Sequence, residues 1–286
     1  MQRSRFLAAL LAAGVAPGLM ASAAPLRFVY PNVNGLGEAG FGFRALRLAL
    51  QRWGQPFELV LRPEPTNNPR SVRALAQGEV DVMDLGTGAD LEARFQAVYL
   101  PLDRGLSGWR LLVIRRDAEH RFAGLQSLQD LAAMTAGQGM SWPDVQLLRS
   151  AGLRVETAES LGRLFRLLQA RRFDYLPLGL NEVDGFVQQH RAVAPDAVIE
   201  PRLALHYPFA RLFYVRRGDG ARHAAIASGL ARAFEDGSFS ALFAAHAATQ
   251  ATLAAARLPE RRALAIANAG FTEAARAMPA RYFIRP

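Results

Sequence analysis

The chain has 286 residues, no cysteine and a formal net charge of +9 at neutral pH. Without cysteine there can be no disulfide, lipoprotein anchor, thiolate metal site or cysteine nucleophile. Its 34 strongly basic residues are all arginine, which excludes lysine Schiff-base and P-loop chemistry; they lie scattered, with no basic run, so nucleic acid is not the expected partner.

Met1 to Arg5 carry two arginines and no acid, Phe6 to Met20 form an apolar run, and Ala21-Ser22-Ala23 supplies small residues for cleavage. This predicts a cleavable secretory signal peptide over 1–23. The run is shorter than the ~20 residues a membrane span needs. The expected destination is the periplasm, with no lipid anchor.

Leu26 to Val33 alternates and reads as the first strand. Asn34 to Gly42 is a Gly-rich loop. Phe43 to Trp53 sets Leu46, Leu50 and Trp53 at helical spacing, with Gly54 as its stop. Phe57 to Leu61 predicts the second strand, Asn68 to Gln77 a short helix with Pro69 in its first turn, and Val80 to Leu85 a buried strand. That order implies a parallel sheet with right-handed crossovers.

Gly108 to Arg116 predicts a strand leaving this first unit. Segments 125–150 and 154–175 give a second α/β set, and Val198 to Leu205 and Leu212 to Val215 are strands that return the chain. From Ala221 the sequence is Ala-rich and helical; 263–286, with Pro279 and several aromatics, is expected to pack as a tail strap. The expected fold class is α/β with two lobes: 24–108 plus 210–286 as a discontinuous first lobe and 109–209 inserted as the second. Two crossings predict a hinge, with a ligand cleft at the carboxyl ends of the strands.

Gly35-Leu36-Gly37-Glu38-Ala39-Gly40 fits the dinucleotide pattern G-x-G-x-x-G between a strand and a helix. Pro31 and Asn32 separate strand from glycines where that fingerprint turns tightly, and the second strand runs into Pro63-Glu64-Pro65. The loop is therefore read as a cleft edge, with Tyr30, Asn32 and Glu38 as candidate ligand contacts. The five histidines are dispersed with no H-x-x-x-H spacing, which predicts no metal site. Ser107 and Ser141 lack a Gly-x-Ser-x-Gly context. Asp84, Asp90, Glu92 and Glu38 are the acids that could converge in the cleft. No catalytic residue, no cofactor and no enzymatic activity are expected.

Further motifs carry a resemblance: Gly78-Glu79-Val80-Asp81-Val82 followed by Arg94, Pro101 to Leu106 with Trp109-Arg110, and Gln138-Gly139 with Trp142-Pro143-Asp144. Arg172-Phe173-Asp174-Tyr175, Tyr207-Pro208 and Asp236 to Phe239 complete the series. In order and spacing the chain resembles the periplasmic solute-binding proteins of ABC-transporter extracellular family 3, the polar amino-acid type, as a divergent branch. The resemblance implies a periplasmic-binding-protein-like type II fold, two lobes on two hinge strands, and a monomer. It implies capture of a small polar, anionic or amino-acid-like ligand for a membrane permease; the alternative is presentation of the closed state to the periplasmic domain of a membrane sensor, kinase or cyclase.

The resemblance also implies site residues. Arg94 matches the arginine that pairs with a ligand carboxylate, a task that suits its planar fork. Gly86 and Thr87 match backbone and hydroxyl donors, and Ser141 matches an anion-binding turn. Trp142 either stacks on a ligand or caps the core. At the position of the family's amino-group acid stands Gly179, with Glu182 as a possible substitute; Leu178 also departs from the nearer branch. These departures leave open a scaffold that has lost its ligand.

Overall fold

The computed structural model describes residues 24–140 and 142–284. The expected signal peptide and Ser141 lie outside the described residues.

In chain order the elements are β1 (Leu26–Val33), α1 (Phe41–Trp53), β2 (Phe57–Thr66), α2 (Asn68–Gln77), β3 (Val82–Gly86), α3 (Ala89–Arg94) and β4 (Phe95–Val98). Next come β5 (Trp109–Arg115), α4 (Glu119–Phe122), α5 (Leu128–Leu131), β6 (Thr135–Gly139), α6 (Asp144–Ser150), β7 (Arg154–Ala158) and α7 (Leu161–Gln169). Then follow β8 (Tyr175–Gly179), α8 (Val183–Gln189), β9 (Ala197–His206), β10 (Arg211–Arg216) and α9 (Gly220–Glu235). The chain ends with α10 (Ser238–Ala245), α11 (Ala247–Ala256), β11 (Arg262–Ala265) and α12 (Glu273–Arg276).

Local chemistry sets the boundaries. The Asn67 side chain accepts from Arg70 N at the start of α2, Pro69 fits the first turn, and Gly78 closes the helix at φ 81°. Gly54 ends α1 in the same left-handed way. Ser160 caps α7, whose Leu164, Phe165 and Leu168 are fully buried; each such side chain contributes about 1.5–3 kcal/mol by leaving water.

The strands fall into two lobes. In the first, β1 and β2 pair in parallel, and β10 lies antiparallel between β3 and β4. The expected β-α-β-α-β sheet is interrupted between β1 and β3: Val29 N donates to the Asp81 carboxylate at 2.9 Å, and Asp81 N returns a bond to Val29 O. A side chain here replaces a ladder bond, and Arg216 and Arg222 flank its charge at 3.7 and 3.5 Å. Helices α1 and α9 cross where Gly229 meets the Ala49 carbonyl; any Cβ at 229 would collide with backbone.

The second lobe holds one six-stranded sheet in the order β11-β9-β5-β8-β6-β7. Strands β5 and β9 run antiparallel and form the connections to the first lobe. They close tightly: Tyr207 N donates to Gly108 O at 3.1 Å, and a side chain at 108 would strike the Tyr207 carbonyl.

The tail departs from the expected lobe boundaries. Strand β11 pairs in parallel with β9, joining the sheet of the inserted segment. From there the chain runs beside the second connection, with Ile266 N on His206 O and Asn268 Nδ2 on Pro208 O. Phe271, Ala275 and Met278 then enter the core around β3, β4 and β10, and Ile284 N bonds Arg104 O. The tail thus adds two crossings to the two expected, as the strap the sequence suggested.

Candidate functional site

A cavity of about 390 Å³ opens where β1 and β3 end and α1 and α2 begin. Lobe one supplies most of its wall, the 102–107 segment before β5 supplies its floor, and Asn181, just after β8, contributes from lobe two. Carboxyl strand ends are where α/β folds leave room for ligands. Its apolar wall includes Leu36, Phe41, Phe43, Leu102, Leu106 and Phe243.

At its base lies a three-residue network. Asp84 accepts from the Tyr30 hydroxyl, and its Oδ2 takes Nε and Nη2 of Arg211 at 3.0 and 2.6 Å. Arg211 Nη2 also reaches the Asp84 carbonyl at 3.1 Å. Burial pushes the Asp84 carboxyl up, but the Arg211 charge and the Tyr30 hydroxyl outweigh it, so its pKa lies below the usual value. Burial, then the Asp84 charge, raises the Tyr30 hydroxyl well above its ordinary pKa. Gly42 makes room for this network: a Cβ there would overlap Tyr30 and Asp84.

Asp103 completes the base. Its oxygens accept Gly105 N at 3.1 Å, Ser107 N at 3.0 Å and Arg211 N at 3.1 Å, which fixes the turn into β5 and the start of β10.

A second network lies on lobe two. Arg110, the second residue of β5, bonds Asp144 of α6 through Nε at 2.8 Å and Nη2 at 3.4 Å. The Tyr207 hydroxyl donates to the same carboxylate at 2.7 Å. Arg110 Nη1 reaches Ser107 O at 2.6 Å, so this pair ties both connecting strands to α6. Glu182 accepts Gly179 N at 3.1 Å. Crowding by protein raises its pKa, the Asp144 charge adds to the rise, and the Gly179 N–H and Arg110 oppose it.

Of the expected site residues, Tyr30 lines the cavity. Glu38 is exposed and pairs with Arg47 at 2.5 Å. Gly86 is covered by the Phe209 ring. Thr87 bonds Ala210 through both its N–H, at 2.8 Å, and its Oγ1, at 3.3 Å, holding β3 to the start of β10. Arg94 ends α3 exposed, with its guanidinium 5.1 Å above the Phe95 ring and off the cavity wall. The Trp142 ring covers Gly139 and packs on the core, which favours the capping alternative. Glu182 stands beside the cavity residue Asn181 without lining it. Ser141 falls outside the described residues.

The wall residues Asp84, Asp103 and Arg211 carry the charge of the site. A single acid inside the apolar run Val82-Met83-Asp84-Leu85 was the available signal for the first; Arg211 has no local signal, since its partner is 127 positions away. Among the described residues no cluster of three His, Asp or Glu could hold a metal ion, and no helix is long and apolar enough to cross a membrane.

The two lobes, the paired connecting strands and the interlobe cavity define a periplasmic-binding-protein-like α/β fold. No family model and no curated protein matches the chain. Solved structures do. YckB from Bacillus subtilis superposes with a TM-score of 0.51 at 16% identity, over 78% of this chain and 91% of that one. The amino acid ABC transporter substrate-binding protein AbpA of Streptococcus pneumoniae, bound to L-arginine, gives 0.51 at 14% identity over 79% and 95%. At such identities the likeness establishes the fold.

Proposed function

We propose that the protein is a soluble periplasmic binding protein that captures a small polar ligand between its lobes and delivers the closed complex to an ABC permease in the membrane. One observation carries the reading: a cavity of about 390 Å³ at the strand ends takes its wall from both lobes, Asn181 facing the β1–β3 side. A ligand held by both walls favours the closed form by its differential affinity for it.

Within this proposal the signal peptide over 1–23 exports the chain and the protein acts as a monomer without catalysis. The lobes are 24–108 with 210–286 and the inserted 109–209, with β11 crossing to the second sheet. The anionic character expected for the ligand rested on Arg94, which stands off the cavity wall, and on the turn at Ser141, which lies outside the described residues; the reading here is a small polar ligand. The second reading, a clamp that presents its closed state to a membrane sensor, uses the same cavity and differs only in the docking partner.

The test is a thermal-shift screen against small metabolites, since a ligand that binds only the native state raises the melting temperature. The hit should be lost in Asn181→Trp, which fills the cavity from its exposed lobe-two side and should leave the melting temperature of the free protein unchanged. A hit that Asn181→Trp binds equally well would place the ligand elsewhere and overturn the reading.

A further inference from the structure

We propose, resting on the capture reading above, that the ligand is an uncharged amphiphile and that the cleft excludes anions. The charged and titratable groups on the cavity wall are Tyr30, Asp84, Asp103, Arg211 and His246. The only guanidinium among them, Arg211, is already held by two bonds to the Asp84 carboxylate and one to its carbonyl. Asp103 accepts three backbone N–H groups. Two carboxylates against one guanidinium leave an incoming anion no unpaired guanidinium among the described wall residues, and the remaining titratable group, His246, packs its ring against Phe41. On lobe two the Arg110 guanidinium is likewise held by Asp144, and Glu182, bonded to Gly179 opposite Arg110 in the sheet, adds a further acid. Desolvating an anion without a partner is costly, so these walls select against a carboxylate or phosphate.

The remaining wall suits a neutral molecule. Asn34, Asn68, Asn181, Ser107 and Thr249 place neutral polar side chains around the opening, and among the described contacts the side chains of these five form no hydrogen bond. Leu36 is 60% exposed at the rim, and Phe41 and Phe243 stand behind it. An exposed apolar side chain at the rim is a surface that a ligand's apolar face can cover.

The experiment uses protein produced from the full-length chain and a library of small compounds in four groups: uncharged, anionic, cationic and zwitterionic. Sugars, nucleosides and N-acetyl amino-acid amides form the first group. Melting-temperature shifts are followed by calorimetry at low and high salt. The proposal expects the tightest binder among the uncharged compounds, an affinity insensitive to salt, and about a tenfold loss in Leu36→Asp, the equivalent of one buried apolar side chain. The exposure of Leu36 keeps that variant folded. A tightest binder that is an anion, a cation or a zwitterion overturns the proposal while the capture reading stands. A screen in which no group shifts the melting temperature counts against both.

Discussion

Replacing Asp84 by Ala should destabilise the protein by about 3 kcal/mol, the low end of the cost of unpairing a buried ion pair. The substitution strips Arg211 of bonds at 3.0 and 2.6 Å and the Tyr30 hydroxyl of its acceptor. Bonds to charged groups contribute about 1.5–3 kcal/mol each. The Arg211 side chain is 37% exposed, so water recovers part of the loss. It also keeps its bond to the 84 carbonyl and the charge of Asp103. Urea unfolding followed by tryptophan fluorescence measures the change, with Trp53, Trp109 and Trp142 as probes. Asp84→Ala combined with Arg211→Met should regain more than half of the loss, because an apolar pair carries no stranded charge. The gap between wild type and Asp84→Ala should hold above the ordinary carboxylate range and shrink as pH falls through the lowered Asp84 pKa. A loss below about 1 kcal/mol, the worth of a surface pair, would refute the reasoning, and so would a double variant no more stable than the single.

Three further outcomes are expected. Glu182 has a raised pKa, so its ionised form weakens the fold, by an amount absent at low pH that appears as pH rises through the ordinary carboxylate range; Glu182→Gln should match wild type in acid and melt higher at neutral pH, in melts run across pH. Gly229→Ala should cost about 1–3 kcal/mol by forcing α1 and α9 apart at the Ala49 carbonyl, read from the urea midpoint. Arg94→Ala should leave ligand affinity unchanged in calorimetry, because that guanidinium lies on Phe95 and off the cavity wall.

Much of the fold is written locally. The bounds of α2 follow from Asn67, Pro69 and Gly78, three residues whose backbone preferences agree. Strand β1 announces itself by alternation, and β5 and β10 by their apolar runs. Strand β2 was expected to stop at Leu61, yet it continues to Thr66 through two prolines. Among the described strands it pairs with β1 alone and lies at a sheet edge, where a missing N–H is tolerated. Strand β11 was hidden because Arg262-Ala263-Leu264-Ala265 favours helix by composition, and pairing with β9 overrides that preference.

The site was less legible for the same reason that it is well built. Its central contact joins Asp84 to Arg211, and the lobe-two pair joins Arg110 to Asp144 and Tyr207, all across long sequence separations. Tyr30 could be found because it lies in a strand that leads into a glycine-rich loop. Gly86 and Thr87 were expected to face the ligand, but Phe209 and Ala210 occupy them.

The central claim is that a ligand closes the two lobes on each other. A chain without cysteine permits clean labelling at Glu38→Cys and Met140→Cys, both exposed and one on each lobe. The measurement is the distance between paired spin labels there, with and without a saturating hit from the screen. The account predicts a shorter and narrower distance distribution when the ligand is bound. An unchanged distribution at saturation would contradict it.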